Sequence, residues 1–311
     1  MKRKTLLLIA LVVSPMTNAL ASLTADSIHL LEDVVVRERV LRREVLPVQT
    51  LSGAQLQRLS SVSVADALRY FAGVQIKDYG GVGGLKTVNV RGMGSQHVGV
   101  FYDGIQLGNA QNGQIDLGRF SLDNMEAVSI YNGQKSALLQ PARHYASASA
   151  LYLTARRPTL DFAGDHRLKT SLRLGSFSTI NPSVLWEHQL SSRLSYSLSG
   201  EYLYTSGRYR FRYKKRDGYD TVSIRHNGDV RALRLEGGLW GKLQHGSWKG
   251  KLYFYDSERG YPGAAVREVP GAFRHEDRQW DRNFFAQASL QESRGIYSYL
   301  VQAKYANDYL H

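Results

Sequence analysis

Cysteine is absent from all 311 residues, which excludes a disulfide framework, a thiol nucleophile and a thiolate metal site. Long apolar runs are lacking too: none reaches the roughly 18 residues of a membrane-spanning helix, so any passage through a bilayer must be made by strands. Also missing are a Gly-x-Ser-x-Gly elbow, a His-Glu-x-x-His pair and a Walker phosphate loop, and no enzymatic activity is expected. Acidic residues are in the minority, 27 against 40 basic ones, for a formal net charge of +13. That excess suits an anionic partner, such as nucleic acid or a lipopolysaccharide-rich surface. The basic residues are scattered and no nucleic-acid module accompanies them, so nucleic acid is not an expected partner.

What is present begins with an export signal. Lys2-Arg3-Lys4 forms a positive n-region, Leu6 to Val13 an apolar h-region and Ala19-Leu20-Ala21 a small-residue cleavage site, so residues 1–21 read as a signal peptide. Residues 22–46 form a polar tail with one β-branched island, Val34-Val35-Val36, after Glu32-Asp33. In extended form the island suits either strand addition to a partner's sheet edge or the first strand of the next domain.

Residues 47–157 alternate short strands and helices, an α+β domain. A helix is expected over 63–73, with Ser63 as N-cap, Val64, Leu68 and Phe71 on one face and Gly73 as the stop. Tyr79, Gly80, Gly81, Val82, Gly83, Gly84 and Leu85 form a glycine-rich loop suited to close backbone approach, without a phosphate-binding fingerprint. Three strands follow, each ending in a glycine turn: one at Arg91-Gly92, one at Asp103-Gly104 and one at Asn132-Gly133. Arg91 and Glu126 are expected to pair as a structural salt bridge.

Beyond about residue 158 helical periodicity gives way to alternation with period two. Leu194, Tyr196, Leu198, Gly200, Tyr202 and Tyr204 share one face, opposite mainly Ser and Glu; Leu203 and Phe285 are apolar exceptions on the polar face. About seven strands are expected, near 167–177, 180–190, 193–213, 221–243, 247–257, 279–291 and 296–308. The turns at 191–192, 244–246 and 292–295 are tight, whereas 205–228 and 257–278 are long. Short turns at one end and long loops at the other are the rhythm of outer-membrane barrels, and Trp186, Tyr204, Trp240, Trp248 and Trp280 suit interfacial girdles. A soluble β-sandwich alternates as well, but strand length, loop rhythm and the export signal favour the barrel.

Taken in order, these features resemble one family, the TonB-dependent outer-membrane receptors. The likeness is carried by Glu32-Asp33-Val34-Val35-Val36, Asp66-Ala67-Leu68, Gly73-Val74, Val90-Arg91-Gly92, Asp103-Gly104-Ile105 and Val128 to Gly133. It implies an α+β plug domain at 47–157, followed by antiparallel transmembrane β-barrel strands at 158–311 that form an incomplete barrel. The segment 136–153 departs from the family in lacking its glycines; with Tyr255 to Ala264 it is similar to the vitamin B12 receptor-like branch.

The resemblance further implies that residues 32–36 are a TonB box contacting the periplasmic energy-coupling protein TonB, and that the barrel sits among outer-membrane lipids. It implies a small-molecule ligand of cobalamin or iron-siderophore type, with apical contacts at Tyr79, Gly80, Gly81, Gly83, Gly84, Asn109, Gln111, Asn112 and Gln114. No resident cofactor is implied, although Asp217, Asp220 and Asp229 are candidate oxygen ligands for loop-bound Ca²⁺; calcium needs about six to eight oxygens, more than these three acids guarantee. The alternative is a passive porin or adhesin that shares the barrel but needs neither box nor plug. Bacterial single-chain barrels have even strand numbers, and a barrel of about eight encloses only side chains, so the chain is expected to be a truncated product.

Overall fold

The computed structural model describes residues 48–311 other than 60, 62, 109–112, 134, 136, 138, 160–161, 215–217, 219 and 263–275, and other than the side chains of 213 and 221. The signal segment and the valine island at 32–36 lie outside the described residues.

The first half contains strands β1 (Val48–Ser52), β2 (Val74–Asp78), β3 (Lys86–Val90), β4 (Val98–Tyr102), β5 (Ile105–Gln106), β6 (Met125–Tyr131) and β7 (Ser149–Ala155), with short helices α1 (Ala54–Arg58) and α2 (Val64–Ala67). One sheet has the order β1-β6-β7-β4-β5, in which β4 and β7 run parallel, and β2 pairs with β3 separately. The segment that lacks the family glycines becomes a 3₁₀ turn at Ala142–Tyr145 and then β7, the middle strand of that sheet.

The helix expected over 63–73 is a single α turn continued by a 3₁₀ turn at Leu68–Tyr70. Its start is as the sequence indicates: the Asp66 carboxylate accepts from the Ser63 N–H at 3.3 Å and from its hydroxyl at 2.9 Å. Its end comes early because Gln49 of β1 takes both backbone groups of Ala72, accepting from the N–H at 2.8 Å and donating to the carbonyl at 2.9 Å. Val64, Leu68 and Phe71 are buried together in the core, as their shared face requires.

The second half is a seven-stranded antiparallel sheet of β8 (His166–Gly175), β9 (Thr179–Ser191), β10 (Leu194–Thr205), β13 (Val230–Lys242), β14 (Gly246–Gly260), β15 (Arg278–Arg294) and β16 (Tyr297–Leu310), each paired with its neighbour in that order. The strands expected over 193–213 and 221–243 are each interrupted. Their outer parts form a separate hairpin, β11 (Tyr209–Lys214) with β12 (Asp220–Arg225). Residues 192–193, 243–245 and 295–296 make short turns at one end; 206–229 and 261–277 are long connections at the other, together with a short turn at 176–178. The sheet is open, since β8 and β16 do not pair with each other.

The two faces of this wall have inverted polarity. On β10, Ser195, Ser197 and Glu201 are buried, whereas Leu198 and Tyr202 are 49% and 41% exposed; on β14, Lys251 is buried and Leu252 is 56% exposed. Burial of the polar set against the first half, with the apolar set bare, suits a wall whose outer solvent is hydrocarbon and not a soluble sandwich. The exceptions Leu203 and Phe285 join the hydrophobic core of the first half, along with Ala232, Tyr253 and Tyr255. Phe285 stacks on Tyr253 with centroids 4.7 Å apart and meets Tyr102 edge-on at 6.0 Å. Trp186 and Trp280 are exposed on the outer face. Trp240 is buried on the inner face and is therefore not a girdle residue, because it shares its parity with Arg234 and Glu236.

Candidate functional site

At the long-loop end the two halves enclose a cavity of about 860 Å³. Residues 79–85 form its floor. The wall supplies strand ends and loops, among them Phe177, Tyr209, Arg225, Val230, Arg259, Tyr261 and Gln279. Local bonds shape the floor: Asp78 accepts from the N–H groups of Gly80 and Gly81 at 3.2 and 2.9 Å, and the Tyr79 N–H donates to the Leu85 carbonyl at 3.0 Å. The wall holds it at two places. Arg259 donates to the Gly83 carbonyl, and Val230 packs so closely that a Cβ on Gly83 would lie 2.4 Å from its methyl carbon. That approach is why glycine is needed there. Among the described lining residues are Arg119, Arg225 and Arg259 and no carboxylate, with Tyr79, Phe177, Tyr209 and Tyr261 adding aromatic surface.

Below the cavity, buried polar groups join the halves. Glu236 of β13 accepts from Tyr102 at 2.7 Å and Asn124 at 2.8 Å, and pairs with Lys251 of β14 at 2.8 Å. Burial first, and then the Glu236 carboxylate, push the Tyr102 phenol well above its ordinary range, so it remains a neutral donor. Arg119 pairs with Asp281 at 2.6 Å, and Arg234 with Glu201 at 2.5 Å while also donating to the Gly118 carbonyl at 2.8 Å. A buried charge left without its partner is costly, so each pair ties plug residues to a defined position on the wall.

A family model of the TonB-dependent Receptor Plug Domain matches residues 41–143. Solved structures with the same fold include the siderophore receptor PirA from Acinetobacter baumannii (17% identity, 83% of this chain and 39% of that one, TM-score 0.58). They include also a mutant of the ferric enterobactin receptor PfeA from Pseudomonas aeruginosa (16%, 85% and 41%, 0.60) and the ferric yersiniabactin uptake receptor FyuA from Yersinia pestis (12%, 85% and 41%, 0.61). Residues 41–143 match the plug domain of TonB-dependent receptors, and the chain as a whole shares the fold of these solved receptors. It spans about two fifths of the length of the receptors it matches, 39–41%.

Within this TonB-dependent receptor fold, Tyr79, Gly80, Gly81, Gly83 and Gly84 stand together on the cavity floor. Gln114 is half-buried elsewhere and does not line the cavity; Asn109, Gln111 and Asn112 lie outside the described residues. Arg91-Gly92 and Asp103-Gly104 are tight turns with positive φ at both residues, 51° and 76° in the first and 51° and 84° in the second. The second is the two-residue loop of the β4–β5 hairpin, where an Asp-Gly pair is favoured. It also docks the plug: the Asp103 carboxylate accepts from the Ala155 N–H at 3.0 Å, and Lys249 and Gln302 of the wall donate to the carbonyls of Asp103 and Gly104 at 2.6 and 3.2 Å.

One expected pairing is corrected. Arg91 and Glu126 are both exposed and form no ion pair, because β3 belongs to a different sheet from β6. Asp220 is bound by Arg212 and Asp229 by Arg278 at 2.9 Å, and no group of three metal-ligating side chains occurs among the described residues. Asp217 lies outside the described residues. The contacts that seat the glycine-rich loop come from Arg259 and Val230, which the sequence reading passed over. Alternation from Lys251 through Tyr253 and Tyr255 already puts Arg259 on the inner face, so the signal was available.

Proposed function

We propose that the chain forms the plug and part of the barrel of an energised outer-membrane uptake receptor, exported by the signal at 1–21, with a ligand of anionic iron-siderophore type and not cobalamin. One observation carries this reading: among its described lining residues the cavity at the long-loop end presents arginines and aromatic rings and no carboxylate, over a plug loop built of glycine. Cations at a site partly shielded from water favour an anionic ligand, and aromatic faces suit its rings. PirA is a siderophore receptor, PfeA a ferric enterobactin receptor and FyuA a ferric yersiniabactin uptake receptor, which is consistent with that chemistry. In this reading Glu32, Asp33, Val34, Val35 and Val36 pair with TonB, and the pull on the plug is resisted by the buried pairs around Glu236 and Arg119.

The test is accumulation of a radiolabelled ferric siderophore by cells expressing the receptor. Deleting residues 32–36 is expected to abolish energised accumulation and spare surface binding. Arg259→Gln is expected to weaken surface binding by about tenfold, the loss of one charge-assisted hydrogen bond. Accumulation that survives the deletion would make the barrel a passive pore. Equal retention of a neutral corrinoid by wild type and Arg259→Gln, with no siderophore retained, would restore the cobalamin alternative.

A further inference from the structure

The β11–β12 hairpin has two unlike faces, and the cavity uses only one of them. Tyr209 and Arg225 line the cavity, and Phe211 and Ser223, on the same side by alternation, are half-buried. The opposite side sets Arg210, Arg212 and Lys214 across from Ile224, Val222 and Asp220 in register, and all of these are exposed. Among the described residues Asp220 pairs with Arg212, and the face keeps an excess of positive charge. Val222 and Ile224, at 67% and 45% exposure, lie bare among those cations. A strand face meant only for water has no use for two β-branched apolar residues at its centre.

The wall beneath shows at what level this face stands. On β14 the outer face runs from Trp248 through Leu252 to Phe254, about 20 Å along the strand, and then turns ionic at Asp256 and Glu258. Asp256 pairs at 2.7 Å with Arg282, its neighbour on β15, and Glu258 is in register with Arg231 of β13. That row of ions marks where hydrocarbon gives way to headgroups, the boundary at which such a wall's apolar band ends. The hairpin follows β10 and precedes β13 beyond this row, so its outward face stands on the headgroup side of the hydrocarbon boundary.

We infer that the outward face of the β11–β12 hairpin docks on phosphate-bearing lipid headgroups of the leaflet surrounding the long-loop end. Arg210, Arg212 and Lys214 meet the phosphates through charge-assisted hydrogen bonds, and Val222 and Ile224, in register with the two arginines, add apolar contact between them. Charge complementarity and continuity with the lipid-facing wall select this occupant; the proposal rests on the membrane reading of that wall but not on the identity of the transported ligand.

The test is titration of the detergent-solubilised full chain with mixed micelles containing bis-phosphorylated lipid A, its dephosphorylated form, or no lipid A but inorganic phosphate. The expected result is saturable binding of the phosphorylated lipid alone, weakened about tenfold or more by the triple variant Arg210→Gln, Arg212→Gln, Lys214→Gln, as the loss of several cations near a charged surface implies. Binding by Arg210→Lys, Arg212→Lys should stay close to wild type and fall with added salt. The triple variant should keep the wild-type circular dichroism and siderophore retention, which separates this proposal from the uptake reading. Three results would overturn it: undiminished lipid binding by a folded triple variant, equal binding of the dephosphorylated lipid, or displacement by inorganic phosphate at equal concentration.

Discussion

In the plug, Leu68, Val128, Leu151 and Leu153 are wholly buried, as in any water-soluble core; in the wall, Leu198, Leu235 and Leu252 are bare, while Glu187, Glu236 and Lys251 are hidden. One chain thus obeys opposite burial rules in its two regions. The difference teaches that the hydrophobic effect sorts side chains by the solvent each face meets: hydrocarbon outside the wall, plug and polar partners inside it. The regions meet where the rules cross. There the wall turns apolar at Leu203, Ala232 and Phe285 to extend the plug core, and the plug turns polar at Tyr102 and Asn124 to satisfy the wall.

The strongest way to break that arrangement is to leave one hidden charge alone. Glu236→Ala strands Lys251 and removes the acceptor of Tyr102 and Asn124, and is expected to cost about 3–5 kcal/mol, read as a lower urea midpoint in lipid vesicles. Replacing both charges, Glu236→Leu with Lys251→Met, should cost much less, because no unpaired charge remains. Equal losses for the single and double variants would show that the pair is solvated.

Next in size is a charge placed on the wrong side of the wall. Leu252→Arg is expected to cost about 2–4 kcal/mol near the middle of the apolar band, although the adjacent position already carries a lysine. Heat-modifiable gel mobility checks it: the variant should lose its fast-migrating folded form at lower temperature. Tolerance of Arg at 252 equal to that of Lys at 251 would remove the distinction between the faces.

How much of this was legible in the sequence follows from the range of the forces involved. Alternation is local, so the seven strands, their faces and most turns could be read from patterns such as Ser195 to Tyr204. The capping of α2 by Ser63 and Asp66 was local too. The helix end at Ala72 was not, since Gln49 imposes it from 23 residues away. Leu203 and Phe285 looked like flaws in the pattern because their reason, the plug core, lies in another part of the chain. Of the site, the glycine-rich loop could be read from composition, whereas Arg259 and Val230 become neighbours of Gly83 only once β13 and β14 reach the cavity. Asp220 and Asp229 shared a sequence neighbourhood, but each found an arginine instead.

A smaller perturbation probes the seam itself. Gly104 has φ +84° in the two-residue turn that seats against Lys249 and Gln302. Gly104→Ala should cost about 1–2 kcal/mol, the penalty of left-handed backbone for an L side chain. Limited proteolysis should then cut more readily near 103–106 while the wall strands stay protected. Equal protection in variant and wild type would mean that the turn is not held in this conformation.

The mildest test uses protons. Asp123 of the plug is bonded to Arg173 of β8 at 2.5 Å, to Ser183 at 2.7 Å, and has Lys169 at 3.9 Å. Burial alone would raise its pKa, but the Arg173 and Ser183 hydrogen bonds and the nearby cations outweigh it and hold the carboxyl below its ordinary value. A group lowered in the folded state binds fewer protons there than in the unfolded chain, so its stabilisation is complete above the unfolded value of about 3.9 and fades as pH falls through the folded one. The difference in urea midpoint between wild type and Asp123→Asn should therefore be constant from neutral pH down to about that value and shrink below it. A difference unchanged across the acid range would show that Asp123 contributes by shape alone, and the junction of plug and wall at β8 would then owe nothing to charge.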